Sequence, residues 1–258
     1  MANQPTHSEL ENRVAIVTGS GQNIGRGIAL ALARQGASVV VNGRSDVSKL
    51  EAVCEEIRAL GAKALPVLAD VSDPKAVQNM VDTAVAELGS VDIAVSNVGR
   101  RHHQPLLKIT PDDWDSIIKS NLSSAFYLAH AALPHMQERK WGRIIHISGR
   151  DGFFVKENRA HNVTAKAGLH AFAKAIALEF GEHGVTANTV APGLLDTSRD
   201  LDQYPDYANM VKKRVANMPA RRIGEVDDIA EACSFLVSDR AGFITGQLLH
   251  VNGGEFMY

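Results

Sequence analysis

Short apolar runs alternate along this chain with longer segments in which apolar residues recur every three or four positions. The runs "RVAIVT" (13–18), "SVVVN" (38–42), "KALPVL" (63–68), "DIAVS" (92–96), "RIIHIS" (143–148) and "VTANTV" (185–190) are rich in β-branched residues and do not alternate with polar ones. A strand buried on both faces reads this way, which points to a parallel sheet covered by helices. The intervening segments have helical periodicity. Gly36, Gly61, Gly89 and Gly184 each fall between a helical segment and a strand, where glycine ends a helix in the left-handed conformation. Asp73-Pro74 and Thr110-Pro111 read as an N-cap followed by proline at the first helical position, and Asp113 can complete a capping box with Thr110. Repeated strand–helix units of this kind predict an α/β chain, a Rossmann-like doubly wound parallel sheet flanked by helices on both faces. We expect one domain over 1–258 with a polar tail at 1–12. Ligands in such sheets bind beyond the carboxyl ends of the strands, so the residues following each strand matter most.

The first strand runs into "TGSGQNIGRG", residues 18–27. Gly19, Gly21 and Gly25 permit a tight turn and a close backbone approach to a ligand, and the helix that follows offers free N–H groups to a pyrophosphate. With "LADVSD" after the third strand, "SNVG" at 96–99 and "APGLLDT" at 191–197, the chain from about Arg13 onward resembles the short-chain dehydrogenase/reductase family. That resemblance implies a nicotinamide cofactor. Its phosphates would lie on the turn of Gly19, Gly21, Gln22, Asn23, Ile24 and Gly25. Asn23 stands where the family has a glycine, and asparagine tolerates left-handed backbone angles. Asp70 would bond the adenine amino group and Val71 would flank the ring. Asn97 and Gly99 match the family's N-N-A-G. Pro192, Gly193 and Thr197 match its P-G-x-x-x-T, with Thr197 holding the carboxamide. At the end of the second strand, where NAD users carry an acidic residue, stand Gly43 and Arg44. Arginine pairs with phosphate bidentately, so we read NADP(H) rather than NAD(H). The other reading is a solvated Arg44 and a site open to either cofactor.

The family's catalytic set is Asn, Ser, Tyr and Lys. Asn121 in "KSNLSSAFYLA" matches the asparagine, and Lys166 in "NVTAKAGL" matches the lysine. Four residues before Lys166 stands Asn162 instead of tyrosine, and thirteen before that stands Gly149 instead of serine. Three readings follow. The chain transfers hydride while another group handles the proton, such as His161, or the substrate supplies its own activation as an imine or conjugated double bond. Alternatively it runs a non-redox lyase, dehydratase or isomerase reaction in the same cleft. Or it is a catalytically silent NADP(H)-binding module. Asn162 can donate a hydrogen bond but not a proton. His161 read blandly is a helix-start histidine facing solvent.

On the substrate side, Arg100, Arg101, His102 and His103 follow the fourth strand, and Arg150, Lys156, Arg159 and His161 follow the fifth. Converging arginines fit a carboxylate or phosphate on the substrate. The bland alternative is a solvated loop with its charges pointing outward. The histidines lack a spaced ligand pattern, so no metal is expected. Residues 194–219 would form a lid, in which Tyr204 or Tyr207 could swing a phenol into the pocket.

Composition narrows the remaining choices. A formal net charge of −2 gives no basis for nucleic-acid or anionic-membrane binding. Two cysteines make no disulfide framework, and the polar start of the chain lacks a signal-peptide core. No apolar run approaches the ~18 residues of a membrane span. We therefore expect a cytoplasmic protein with a small-molecule substrate. The resemblance adds a homo-oligomer, dimer or tetramer, and the ending "QLLHVNGGEFMY" resembles a family region that often helps assembly.

Overall fold

The computed structural model describes residues 9–198 and 206–257. Seven parallel strands form one sheet: β1 (Val14–Val17), β2 (Ser38–Gly43), β3 (Ala64–Leu68), β4 (Ile93–Ser96), β5 (Gly142–Ile147), β6 (Val185–Pro192) and β7 (Leu248–Val251). Their order is β3-β2-β1-β4-β5-β6-β7. The expected doubly wound sheet is therefore present, with one strand more than the apolar runs indicate. β7 escapes such a reading because its side chains are half-buried or exposed rather than continuously buried.

Among the described residues there are eight helices, α1 (Asn23–Arg34), α2 (Val47–Ala59), α3 (Pro74–Leu88), α4 (Pro111–Ile118), α5 (Ser124–Arg139), α6 (Ala160–Phe180), α7 (Tyr207–Asn217) and α8 (Val226–Val237), and six of them cover the two faces of the sheet. One core packs α1, α2 and α8 on the sheet around Ile28, Leu32 and Ile229. The other packs α3, α5 and α6 around Met80, Leu128 and Ile176. Burying apolar surface at roughly 25 cal/mol per Å² on both faces is what holds strands this apolar in the middle layer. The local signals hold as well. Asp73 caps α3 by accepting from the Lys75 N–H, Thr110 and Asp113 form a reciprocal capping box on α4, and all four expected glycines take positive φ.

β1 and β4 are neighbours although β2 and β3 lie on the other side of β1. At this reversal the connections leave in opposite directions, which opens a crevice at the carboxyl ends. A single turn of π-helix, Lys119–Ser123, joins α4 to α5 and carries Asn121 at its centre. Such bulges re-aim side chains within a helix.

One core residue is out of character. His146 on β5 is fully buried against Phe172, and neither ring nitrogen has a partner among the described residues. Burial pushes its pKa down to about 3. The depressed value means that the folded state resists protonation. Its contribution is therefore intact above the unfolded value near 6.5 and is lost as pH falls below it, by roughly 1.4 kcal/mol per unit. Two unpartnered polar atoms also cost roughly 1–3 kcal/mol at neutral pH. His146→Leu should accordingly raise Tm at pH 7 by several degrees and flatten the acid limb between pH 6 and 4. Scanning calorimetry across that range is the check, and an unchanged Tm and limb would contradict the assignment.

Candidate active site

The turn between β1 and α1 is the most constrained backbone in the crevice. Gly19 has φ +62° and Asn23 has φ +49°, so asparagine does sustain the left-handed turn. A Cβ on Gly25 would lie 2.3 Å from the Gly19 carbonyl oxygen and 2.6 Å from Nδ2 of Asn97. The turn is braced from two strands. Asn97 Nδ2 donates to the Thr18 and Gly19 carbonyls at 2.9 and 3.2 Å, and the Asn97 N–H donates to the Thr18 hydroxyl. From β2, buried Asn42 accepts from the Gly19 N–H at 3.2 Å and donates to the Val67 and Ala69 carbonyls. Asn42 was not singled out in the sequence. Nothing in a chain pattern marks an asparagine that closes on a turn 23 residues away. Because the Gly25 contact is with backbone, Gly25→Ala should unseat the turn. We expect Tm to fall by several degrees and dinucleotide affinity to drop at least tenfold, the scale of an overpacking cost of ~1–3 kcal/mol. Calorimetry and a fluorescence titration of the variant test this.

Two cavities meet at Gly19. The first, about 610 Å³, is lined by Asn42, Gly43, Arg44, Asp70, Val71 and Arg100 among others. Asp70 accepts from the hydroxyl and the N–H of Ser72 at 2.6 and 2.9 Å. These bonds, followed by the charges of Arg44 and Arg100, hold its carboxyl below the usual range against the opposing effect of burial. Arg44 is exposed at the rim, and no ion pair to it is found among the described residues. The second cavity, about 510 Å³, continues past Gln22, Asn23, Ile24 and Gly25 to Asn97, Gly99, Lys166, Pro192, Gly193 and Thr197. Asn23 Oδ1 also accepts from the N–H and hydroxyl of Ser198, tying the turn to the segment after β6. A groove of about 670 Å³ lies at the opposite, amino end of the strands, around Arg34, Lys63 and Arg139, but contains none of these features.

Lys166 projects from the second turn of α6 into the second cavity. Its ammonium donates to the Ile147 carbonyl at 2.8 Å and lies close to Gly99. Burial, then the charge of Arg101, lowers its pKa to about 8, with Asp151 pulling the other way. Gly149, at the end of β5, lines the same cavity. The neighbouring Ser148 hydroxyl turns to His170 Nε2 at 2.7 Å and to the Lys166 carbonyl. Burial brings the His170 pKa down to about 4.

Asn121, Asn162 and His161 are brought together, but beside this cavity rather than in its lining. Asn121 Nδ2 donates to Asn162 Oδ1 at 3.1 Å and to the Arg100 carbonyl at 2.8 Å, while its Oδ1 accepts from the Arg100 N–H. Asn162 Nδ2 donates to the His102 carbonyl at 3.0 Å. The two amides thus staple the loop after β4 to α6. His161 does not face solvent, as its position at a helix start allows. It is fully buried, its Nδ1 accepts from the Asn162 N–H, and burial lowers its pKa, which leaves it neutral near pH 7.

The basic residues are partly paired. Arg159 grips Asp151 with two bonds, and Arg150 and Arg214 share Glu255. Of the expected lid, residues 199–205 with Tyr204 lie outside the described residues, as do 1–8 of the N-terminal tail. Tyr207 begins α7.

Comparison with known proteins places this arrangement. Residues 19–255 match the family model described as enoyl-(acyl carrier protein) reductase. The 3-oxoacyl-[acyl-carrier-protein] reductase FabG of Salmonella typhimurium is 37% identical over 252 residues, covering 96% of this chain and 98% of its own. The protein of the same name from Staphylococcus aureus (strain Mu50) is 37% identical over 243 residues, covering 94% and 98%. Among solved structures, a candidate short-chain alcohol dehydrogenase from Sinorhizobium meliloti 1021 superposes with a TM-score of 0.91 at 32% identity, over 96% of this chain and 98% of that one. The chain belongs to the short-chain dehydrogenase/reductase family. A candidate gluconate dehydrogenase from Agrobacterium tumefaciens also superposes with the short-chain dehydrogenase/reductase described here, at a TM-score of 0.90, 30% identity and the same coverage. This family binds nicotinamide cofactors, and the crevice fits one. The turn would be filled by any Cβ at Gly25, and cavities on either side of Gly19 leave room for the two halves of a dinucleotide. Among the described residues no helix is long and apolar enough to cross a membrane.

Proposed function

We propose that this chain is a cytoplasmic, NADP(H)-dependent oxidoreductase with a non-standard active site, reducing a small carbonyl, imine or conjugated substrate. The observation that carries the reading is that Arg44 and Asp70 line one end of a crevice that holds Lys166 at the other. Gly43 offers no carboxylate to a 2′-hydroxyl, and Arg44 can take a 2′-phosphate in its guanidinium fork. The turn from Gly19 to Gly25 holds the pyrophosphate, Asp70 and Val71 the adenine, and Asn97, Lys166 and Thr197 the nicotinamide half.

When bound, the cofactor supplies the hydride. The chain must supply the proton, and the residues that stand in place of the family's tyrosine and serine do not. Asn162 gives an amide hydrogen to the His102 carbonyl, and Gly149 has no side chain. Gly149 also sits at φ 157°, ψ 179°, a region open essentially to glycine alone, so the missing hydroxyl is built into the backbone. Lys166 Nζ lines the cavity, and burial lowers its pKa to about 8. Its N–H passes the proton to the substrate oxygen, the electron pair stays on Nζ, and water reprotonates the amine. Asn121 and Asn162 act as positioning residues that hold the loop from Arg100 to His102 against α6. We further propose a homo-oligomer, supported by Phe126, Leu178, Phe243 and Leu249 standing exposed on the surface.

The test is consumption of NADPH, followed at the nicotinamide absorbance band, against a panel of aldehydes, ketones, imines and enones. Turnover of at least one class is expected. A silent cofactor-binding module is the second reading, favoured by the amide of Asn162 being occupied. That reading requires NADPH binding with no turnover of any class.

A further inference from the structure

Two consecutive residues at the end of β5 hold Lys166 at both of its ends. The Ile147 carbonyl accepts from the Lys166 ammonium at 2.8 Å, and the Ser148 hydroxyl donates to the Lys166 backbone carbonyl at 3.2 Å. The same hydroxyl lies 2.7 Å from His170 Nε2, one helical turn further along α6. A hydroxyl has one proton, and a carbonyl can only accept. With that proton on the Lys166 carbonyl, the contact to His170 is made by Nε2–H donating to Oγ. A chain of hydrogen bonds thus runs from His170 through Ser148 to the Lys166 backbone.

The turn after β5 closes over this pair. A Cβ on Gly152 would lie 2.6 Å from His170 Cε1 and 2.9 Å from both His170 Nε2 and Ser148 Oγ. Phe153, from the same turn, stacks on the His170 ring. Ser148 is buried, yet it belongs to the lining of the cavity that holds Lys166. Burial keeps the His170 pKa down at about 4, so near pH 7 the ring is neutral and has a single N–H to give. Away from water, linked hydrogen bonds of this kind polarise and strengthen one another.

Resting on the oxidoreductase reading above, we propose that Ser148 and His170 are positioning residues for Lys166, fixing its backbone to the strand end that also holds its ammonium. A lysine stem is flexible, and a misplacement of ~1 Å at a reacting group costs about 10²-fold in rate. One of the three ammonium hydrogens is spent on Ile147, which orients the other two into the cavity. The charged and titratable groups that act on Lys166 or respond to it are Arg101 from the loop after β4, Asp151 from the turn after β5, His146 on β5 and His170 on α6. Both histidines are neutral near pH 7, so replacing His170 removes no charge and reports on position.

The test reads Lys166 itself and needs no substrate. Trace labelling of the full chain with acetic anhydride across the alkaline range, resolved by peptide mass spectrometry, gives the titration of the Lys166 amine. In the wild type it should titrate near pH 8. In Ser148→Ala and in His170→Phe the stem loosens and the ammonium reaches water. Its titration should then move up, toward the ordinary lysine value, by about half a pH unit or more. Ser148→Thr returns the hydroxyl and His170→Gln returns an N–H of similar reach, so both should titrate like the wild type. That rescue separates positioning from a general loss of packing, which calorimetry of the four variants measures alongside. A titration unmoved in Ser148→Ala and His170→Phe overturns the proposal, as does an equal shift in all four variants or a wild-type amine at the ordinary lysine value. Absence of turnover by the wild type with every substrate class is a different result. It strikes the oxidoreductase reading, and the labelling still decides whether Ser148 and His170 position the lysine.

Discussion

Arg44→Ala is expected to weaken NADPH binding by about 10- to 100-fold and to leave NADH binding nearly unchanged, the scale of a charge-assisted bond worth ~1.5–3 kcal/mol. The guanidinium stands at the rim of the cavity lined by Asp70 and Val71, and among the described residues it has no ion pair. Removing it takes nothing from the fold, so stability should not change. Only the cofactor that carries a 2′-phosphate should notice. The reverse substitution is informative too. A Cβ at Gly43 would lie 2.8 Å from a methyl of Leu50, a flexible side-chain end that can move aside. Gly43→Asp with Arg44→Ala should therefore shift the preference to NADH. Titrations with both cofactors, following nicotinamide fluorescence, measure it. Equal losses for NADPH and NADH would remove Arg44 from the cofactor site.

Lys166→Met should lower turnover by about 10²–10⁴-fold, the usual worth of a positioned general acid. The pH profile separates this role from cofactor binding alone. The Lys166 pKa is lowered to about 8, first by burial and then by Arg101. The proton is therefore present below pH 8 and lost above it. Reduction should fall as pH rises through that value, and the reverse oxidation should rise. Arg101→Met removes part of the positive field on Lys166, so the inflection should move upward. Lys166→Arg keeps a positive charge and hydrogen bonds but cannot release a proton at these pH values. It should bind NADPH and fail to turn over. Full activity in that variant would assign the proton to another group and leave Lys166 as a cofactor contact.

Much of this was legible along the chain, for physical reasons that differ by element. Strands apolar on both faces announce a buried parallel sheet without any tertiary information, and glycines at helix ends announce their own φ. β7 did not announce itself, because an edge strand with half its surface open has no continuous apolar run. The glycine turn was readable because its constraint is local, with Asn23 taking φ +49° within the turn. Its bracing by Asn42 and Asn97 was not, since both bonds close over distant chain. The site at Lys166 was readable as positions but not as contacts. Asn162 sits where counting puts it, yet only the fold shows its amide spent on the His102 carbonyl. His161 read from sequence could face solvent, and packing of the loop after β4 over α6 buries it instead. The basic stretches were visible as composition. Which arginines are neutralised depends on Glu255, about a hundred residues away from Arg150.

Everything proposed for the crevice depends on its holding NADP(H). The most direct measurement is a fluorescence titration of the purified wild-type chain with NADPH and, separately, with NADH. Saturable binding, at least tenfold tighter for NADPH, is the expected result. Binding of neither cofactor, with the protein folded by calorimetry, would remove NADP(H) from the crevice.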